Sequence, residues 1–170
     1  VAGCALRGAA EIYCVGHRPV TRELAMEFGA TATFDYHDGS FRQQILEYTK
    51  GQQVDKVIVA GGEPDVINEA LGLCKYNGIV ANLAGHGLTN ILLPIYTAEA
   101  VQFCADKKIT GGLCPGGRRR LERLMGIVKS GRLQPEKLIT HKFNGYEGIE
   151  ESFNLMSTRA PDIVKPIIYI

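Results

Sequence analysis

The sequence has 170 residues, 45% of them apolar and 22% charged, with a formal net charge of +1. That length suits one ordinary domain with a real core, or one domain plus an appendage, and the composition excludes a disordered chain. The charge gives no support to nucleic-acid binding, since Arg118-Arg119-Arg120 is the only dense basic run, and no apolar stretch reaches the roughly 20 residues that span a bilayer.

The five cysteines, Cys4, Cys14, Cys74, Cys104 and Cys114, are odd in number and form no CxxC pair. They read as reduced, buried thiols of a cytoplasmic compartment. The opening, VAGCALRGAAEI, has no initiator methionine and no signal-peptide pattern. It has the character of a helix begun earlier, so the sequence is expected to be a piece of a longer protein.

In chain order, Val1 to Arg7 are helical in character and Gly8 ends them. Glu11 to Val15 read as a buried strand. Pro19 starts a helix, PVTRELAMEFG, with Val20, Leu24 and Phe28 on one face and Gly29 as its stop. Ala30 to Phe34 form a short strand and DYHDG a turn. Ser40 caps a helix whose Phe41, Ile45 and Tyr48 share a face. VDKVIVAGG reads as strand into glycine turn, Asp65 to Lys75 as a helix, and Gly78 to Leu83 as a strand. Strand and helix alternate with short connections, the rhythm of an open parallel sheet covered on both faces.

Beyond Gly87 the pattern blurs. TNILLPIYTAEAVQFCADKK holds a short strand and then a helix, and Lys108 to Leu113 a strand broken by Pro115-Gly116-Gly117. RRRLERLMGIVKSGRL is an amphipathic helix expected to turn Leu121, Leu124, Met125 and Val128 inward. KLITHKF, GIEESFNLMST and IVKPIIYI follow as strand, helix and strand.

In doubly wound folds ligands bind beyond the carboxyl ends of the strands. The places to inspect are GHR after the first strand, DYHDG, AGG and AGHG. A dinucleotide fold commonly carries Asp or Glu at the end of its second strand, for the ribose hydroxyls. That place is taken here by Gly16-His17-Arg18, with no carboxylate. An arginine fork suits a phosphate and favours NADP over NAD; a solvated turn explains the same residues equally well. Tyr36 either stacks on an adenosine phosphate or is a surface aromatic. Ala60, Gly61 and Gly62 either let backbone approach a cofactor or make an ordinary turn. His37, His86 and His141 have no metal-triad pattern, and neither a P-loop nor a GxGxxG fingerprint is present.

Taken together, VGHRPV with FGAT, VDKV followed by AGG, ITGGLCPGGRRRLERL, KLITHKF, and IEESFNLM with VKPII resemble the C-terminal half of zinc-containing medium-chain alcohol dehydrogenases. The likeness is greatest to microbial NADP-dependent secondary-alcohol dehydrogenases. It implies an α/β fold: a truncated Rossmann-type, doubly wound parallel sheet. Residues 1–116 would be the NADP-binding domain without its first strand and glycine loop, and residues 117–170 a segment returning to the catalytic domain. The resemblance places Gly16, His17, Arg18 and Tyr36 around the adenosine 2′-phosphate, with His17 where the family has serine, and Lys165 near the cofactor phosphates. AGHG departs from the family's polar and aromatic residues.

The resemblance also implies reversible hydride transfer between small secondary alcohols or ketones and NADP. Catalytic zinc would be bound upstream of Val1, the protein would form a homodimer or homotetramer through the strand near Ile109 to Leu113, and this chain would have no turnover by itself. Two alternatives accompany it: a zinc-free quinone or enoyl reductase of the same superfamily, and a non-catalytic nucleotide-binding module.

Overall fold

A computed structural model describes residues 1–86, 90, 93, 107–158 and 160–170. It divides into two units, Val1–His37 with Gly116–Ile170, and Asp38–Pro115.

The first unit begins with α1 (Ala2–Leu6), β1 (Tyr13–Val15), α2 (Pro19–Glu27) and β2 (Ala32–Phe34). β1 and β2 are parallel, with Tyr13 opposite Ala32 and Val15 opposite Phe34. Pro19 holds the first position of α2, where its fixed φ suits the helix and its missing N–H costs nothing. Leu24 and Ala25 are the residues that α2 buries. The helix closes at Gly29, whose φ of +97° lies in the left-handed region, and a Cβ there would approach that of Ala5 to 3.1 Å. Thr31 then ties the two strands, its hydroxyl accepting from the Ile12 amide at 2.9 Å.

The same unit contains a helix over Arg118–Lys129 (labelled α5 below), then β6 (Ile139–Asn144), a helix over Glu147–Ser157 (α6) and β7 (Lys165–Tyr169). β6 and β7 are parallel, joined across α6 as a βαβ unit. Their register shifts between Ile139 and His141. There the Thr140 hydroxyl accepts from the Val164 amide at 2.9 Å, so that amide keeps a partner just before the strand.

The second unit runs through α3 (Phe41–Tyr48), β3 (Val54–Val59), α4 (Val66–Leu73), β4 (Cys74–Asn82) and β5 (Lys108–Gly111). The three strands are parallel in the order β3-β4-β5. Ser40 caps α3 as its position predicts, accepting from the Gln43 amide. The core consists of Val59, Ile67, Ala70, Leu71, Cys74 and Val80, with Val57, Val66, Ala84 and Leu93 packed around it. Leu71 and Val80 are wholly buried, each removing apolar surface worth about 1.5–3 kcal/mol.

Several expectations change. The helix read over Asp65 to Lys75 ends at Leu73, because Cys74 is already extended and begins β4. Phe41 and Ile45 are buried but Tyr48 is 53% exposed. The apolar stripe of α5 exists, yet Leu121, Leu124 and Met125 are 64%, 41% and 53% exposed rather than inward. Among the described cysteines Cys74 is buried, Cys4 and Cys14 are partly buried and Cys114 is exposed, so burial holds for one in full. Most of TNILLPIYTAEAVQFCADKK, together with Gly87 and Cys104, lies outside the described residues. Among the described residues no helix is long and apolar enough to cross a membrane.

Candidate functional site

The register of β1 against β2 builds the site. Val15 pairs with Phe34, and the Gly16 amide extends the ladder by donating to the Phe34 carbonyl at 2.9 Å. Both chains therefore leave the sheet at the same end and level, one as Gly16-His17-Arg18 and the other as Asp35-Tyr36-His37. A short 3₁₀ turn, Tyr36–Asp38, curls the second segment back. This is the carboxyl end of parallel strands, where such sheets bind ligands.

Tyr36 and His17 meet there, the phenol oxygen 2.5 Å from His17 Nδ1 and the rings 5.2 Å apart edge to face. His37 completes the group, its ring 4.9 Å from that of His17 and 4.5 Å from that of Tyr36. All three are exposed. Beneath them Asp35 accepts from the His37 amide at 2.9 Å, and its carboxylate lies 3.2 Å from His37 Nδ1 and 3.6 Å from Arg22 Nη1. The His37 amide bond, then the His37 ring and Arg22, hold the Asp35 carboxyl below the usual carboxylate range despite partial desolvation. Arg22 also donates to the Thr33 hydroxyl at 3.2 Å.

Arg18 stands at the start of α2 with an extended backbone. Its Nη1 donates to the Ile163 carbonyl at 2.6 Å, using one of five guanidinium donors. Ile163 lies two residues before Lys165, so this bond brings the turn to the foot of the strand that carries Lys165. Lys165 itself is exposed and pairs in register with Ile139.

The structure thus brings Gly16, His17, Arg18 and Tyr36 to one strand end. At Gly16 a Cβ would meet only the Thr21 hydroxyl, at 3.9 Å, so space alone does not demand glycine. Ala60, Gly61 and Gly62 follow β3 in the other unit and are exposed. Gly62 has a φ of +96°, which the turn alone explains; Gly61 has open space around it. Sequence reading marked DYHDG as a place to inspect but gave Asp35 and Arg22 no role, and weighed His37 as a metal ligand only to find no triad pattern. The available signal was DYHDG itself, a turn of titratable residues directly after a strand.

A phosphate suits these donor types: His17 and Tyr36 meet in the open, and Arg18 follows His17 in the chain at the start of α2. A zinc ion does not fit, since among the described residues no three His, Cys, Asp or Glu side chains gather to hold a metal.

The family model described as zinc-binding dehydrogenase matches residues 1–129. This chain belongs to the zinc-binding dehydrogenase family. It is 42% identical to an NADP-dependent isopropanol dehydrogenase of Thermoanaerobacter brockii, over 100% of this chain and 48% of that protein. It is 39% identical to one of Clostridium beijerinckii, with the same shares covered. The chain therefore spans about half the length of these curated relatives. Among solved structures, zinc dependent alcohol dehydrogenase 2 from Streptococcus pneumonia superposes with a TM-score of 0.78 at 27% identity, over 94% of this chain and 44% of that one. The 2R,3R-butanediol dehydrogenase of Bacillus subtilis gives 0.81 at 22% identity, over 99% and 46%, a likeness of fold alone. As a zinc-binding dehydrogenase, the chain has the α/β, parallel-sheet fold of Rossmann-type NAD(P)-binding domains.

Proposed function

We propose that the whole protein is an NADP-dependent secondary-alcohol dehydrogenase, and that this chain supplies its cofactor-binding part. The observation that carries this reading is the strand end where Tyr36 meets His17, with Arg18 next in the chain and no carboxylate at the end of β1. Asp35, the nearest acid in the cluster, is engaged by His37 and Arg22.

In this reading the 2′-phosphate of NADP lies against Arg18, with His17 and Tyr36 as further hydrogen-bond partners and Gly16 beside the ribose. Lys165 adds positive charge at the phosphates, and Ala60 to Gly62 let the backbone come close to the cofactor. Bound NADP supplies hydride transfer to or from the alcohol carbon. The residues of this chain bind and orient it, and none is assigned a proton-transfer or zinc-binding role. Zinc belongs to a part of the protein outside this chain.

The strand pairing supports the domain assignment. In the order 3-2-1-4-5-6, strands two and three form one block and strands four to six another. β1-β2 and β3-β4-β5 match those blocks in order and direction. Residues 1–116 are accordingly proposed as the Rossmann domain lacking its first strand, and residues 117–170 as the segment returning to the catalytic domain. Homo-oligomerisation through β5, whose residues are all exposed, and a cytoplasmic location complete the proposal.

The test is kcat/KM for isopropanol with NADP and with NAD, using the full-length enzyme. A strong preference for NADP supports the reading, and equal use of both cofactors refutes the role of Arg18.

A further inference from the structure

We infer that Thr140 is a positioning residue for NADP selectivity: its hydroxyl fixes the peptide unit whose carbonyl anchors the Arg18 guanidinium. This rests on the reading above that Arg18 holds the 2′-phosphate.

The anchor is a single backbone oxygen. Arg18 Nη1 donates to the Ile163 carbonyl at 2.6 Å. The Arg18 backbone is held as well, at the start of α2, where its own carbonyl accepts from the Thr21 hydroxyl at 2.8 Å. A planar guanidinium bonded at one nitrogen keeps few orientations, so the position of that oxygen restricts the whole fork.

The oxygen in turn belongs to a peptide gripped at its other end. The Ile163 carbonyl and the Val164 N–H are two ends of one planar unit. The Val164 N–H donates to Thr140 Oγ1 at 2.9 Å. Rotation of that plane would move the carbonyl away from Arg18 and break the bond to Thr140 together. The turn has two further fastenings, since the Ile163 side chain is buried and its amide donates to the Ala160 carbonyl at 3.2 Å.

Thr140 reaches this peptide because β6 bulges. Ile139 pairs with Lys165 and His141 with Pro166, so two steps along β6 match one along β7. Thr140 is the extra residue and stands outside the register. Pro166 has no N–H to donate, which suits an interrupted ladder at this point. His141 Nδ1 lies 3.0 Å from the Thr140 hydroxyl, so Thr140→Ser is the change that keeps both contacts.

Without the hydroxyl the peptide loses its hold, and Arg18 has to be ordered when the ligand arrives. Ordering one long side chain at that moment costs about three- to tenfold in affinity. The loss falls on a ligand that Arg18 touches and spares one that it does not.

The experiment titrates NADP and NAD against the full-length protein carrying Thr140→Val, Thr140→Ser, Arg18→Ala, or Thr140→Val with Arg18→Ala. Thr140→Val should weaken NADP by about three- to tenfold and leave NAD nearly unchanged, and Thr140→Ser should restore the native affinity. In the Arg18→Ala background Thr140→Val should cost NADP nothing further, because the group it positions is gone. If Thr140→Val does not fold, Thr140→Ala is read by the same titrations. No loss with NADP, equal losses with both cofactors, or a loss undiminished in the Arg18→Ala background overturns the inference and leaves the phosphate reading standing. An Arg18→Ala protein that still prefers NADP as strongly as the native one overturns both.

Discussion

Arg18 Nη1 donates to the carbonyl oxygen of Ile163 at 2.6 Å, a bond between residues 145 apart in sequence. One side of the guanidinium is thereby fixed on the backbone. Arg18→Ala should weaken NADP binding by about ten- to a hundredfold, the range for a charged hydrogen bond, and leave NAD binding nearly unchanged. Stability should fall by about 1 kcal/mol, because the carbonyl of buried Ile163 loses its donor. Arg18→Lys keeps the charge but loses the fork, so it should fall between the two. Affinities for both cofactors and a denaturation curve measure this. Equal losses with NADP and NAD would mean that Arg18 holds the turn and does not read the phosphate.

Tyr36→Phe separates the ring from its hydroxyl. The ring contacts with His17 and His37 remain, but His17 Nδ1 loses the phenol 2.5 Å away. NADP affinity should drop about fivefold, the worth of one neutral hydrogen bond, with NAD unaffected. Stability should change by less than about 0.5 kcal/mol because the group is exposed. Titration of both cofactors against the variant tests it, and an unchanged NADP affinity would remove Tyr36 from the subsite.

Much of the fold was legible because its signals are local. Pro19 and Gly29 bracket α2, Ser40 caps α3, and apolar runs mark the strands, although β1, read as buried, buries none of its three residues. The Gly16-His17-Arg18 turn was legible for the same reason, as a charged strand end. His37 was not, because its meeting with His17 depends on the pairing of Val15 with Phe34 and on the 3₁₀ curl after Asp35. No spacing within one segment carries that register. The stripe on α5 shows the complementary limit: periodicity names Leu121, Leu124 and Met125 as one face but not what covers it.

Asp35 predicts an acid-side effect whose sign can be worked out. Its folded carboxyl lies below the ordinary value of 3.8, chiefly through the His37 amide and also through the His37 ring and Arg22. A depressed carboxyl contributes stability that is present above the unfolded value and is lost as pH falls through the folded one. Asp35→Asn should therefore be less stable than the native chain at neutral pH, and the gap should close below about pH 4. Denaturant unfolding of both proteins across that range measures it. A gap that widens in acid would contradict the assignment of Asp35 to His37 and Arg22.

Gly61 and Gly62 adjoin in the turn after β3, yet the structure asks different things of them. Gly62 has a φ of +96°, where an L side chain is strained whatever the space, so Gly62→Ala should destabilise by about 1–2 kcal/mol. Gly61 has no heavy atom within 4 Å of an added Cβ and no positive φ, so Gly61→Ala should change stability by less than about 0.5 kcal/mol. A cofactor lying close to the backbone would meet that new methyl group. Gly61→Ala should then weaken NADP and NAD alike, by about tenfold, because the clash does not involve the 2′-phosphate. Paired titrations and melting curves separate the two residues. A stable Gly61→Ala protein with native affinity for both cofactors would reduce the AGG segment to an ordinary strand-to-helix turn.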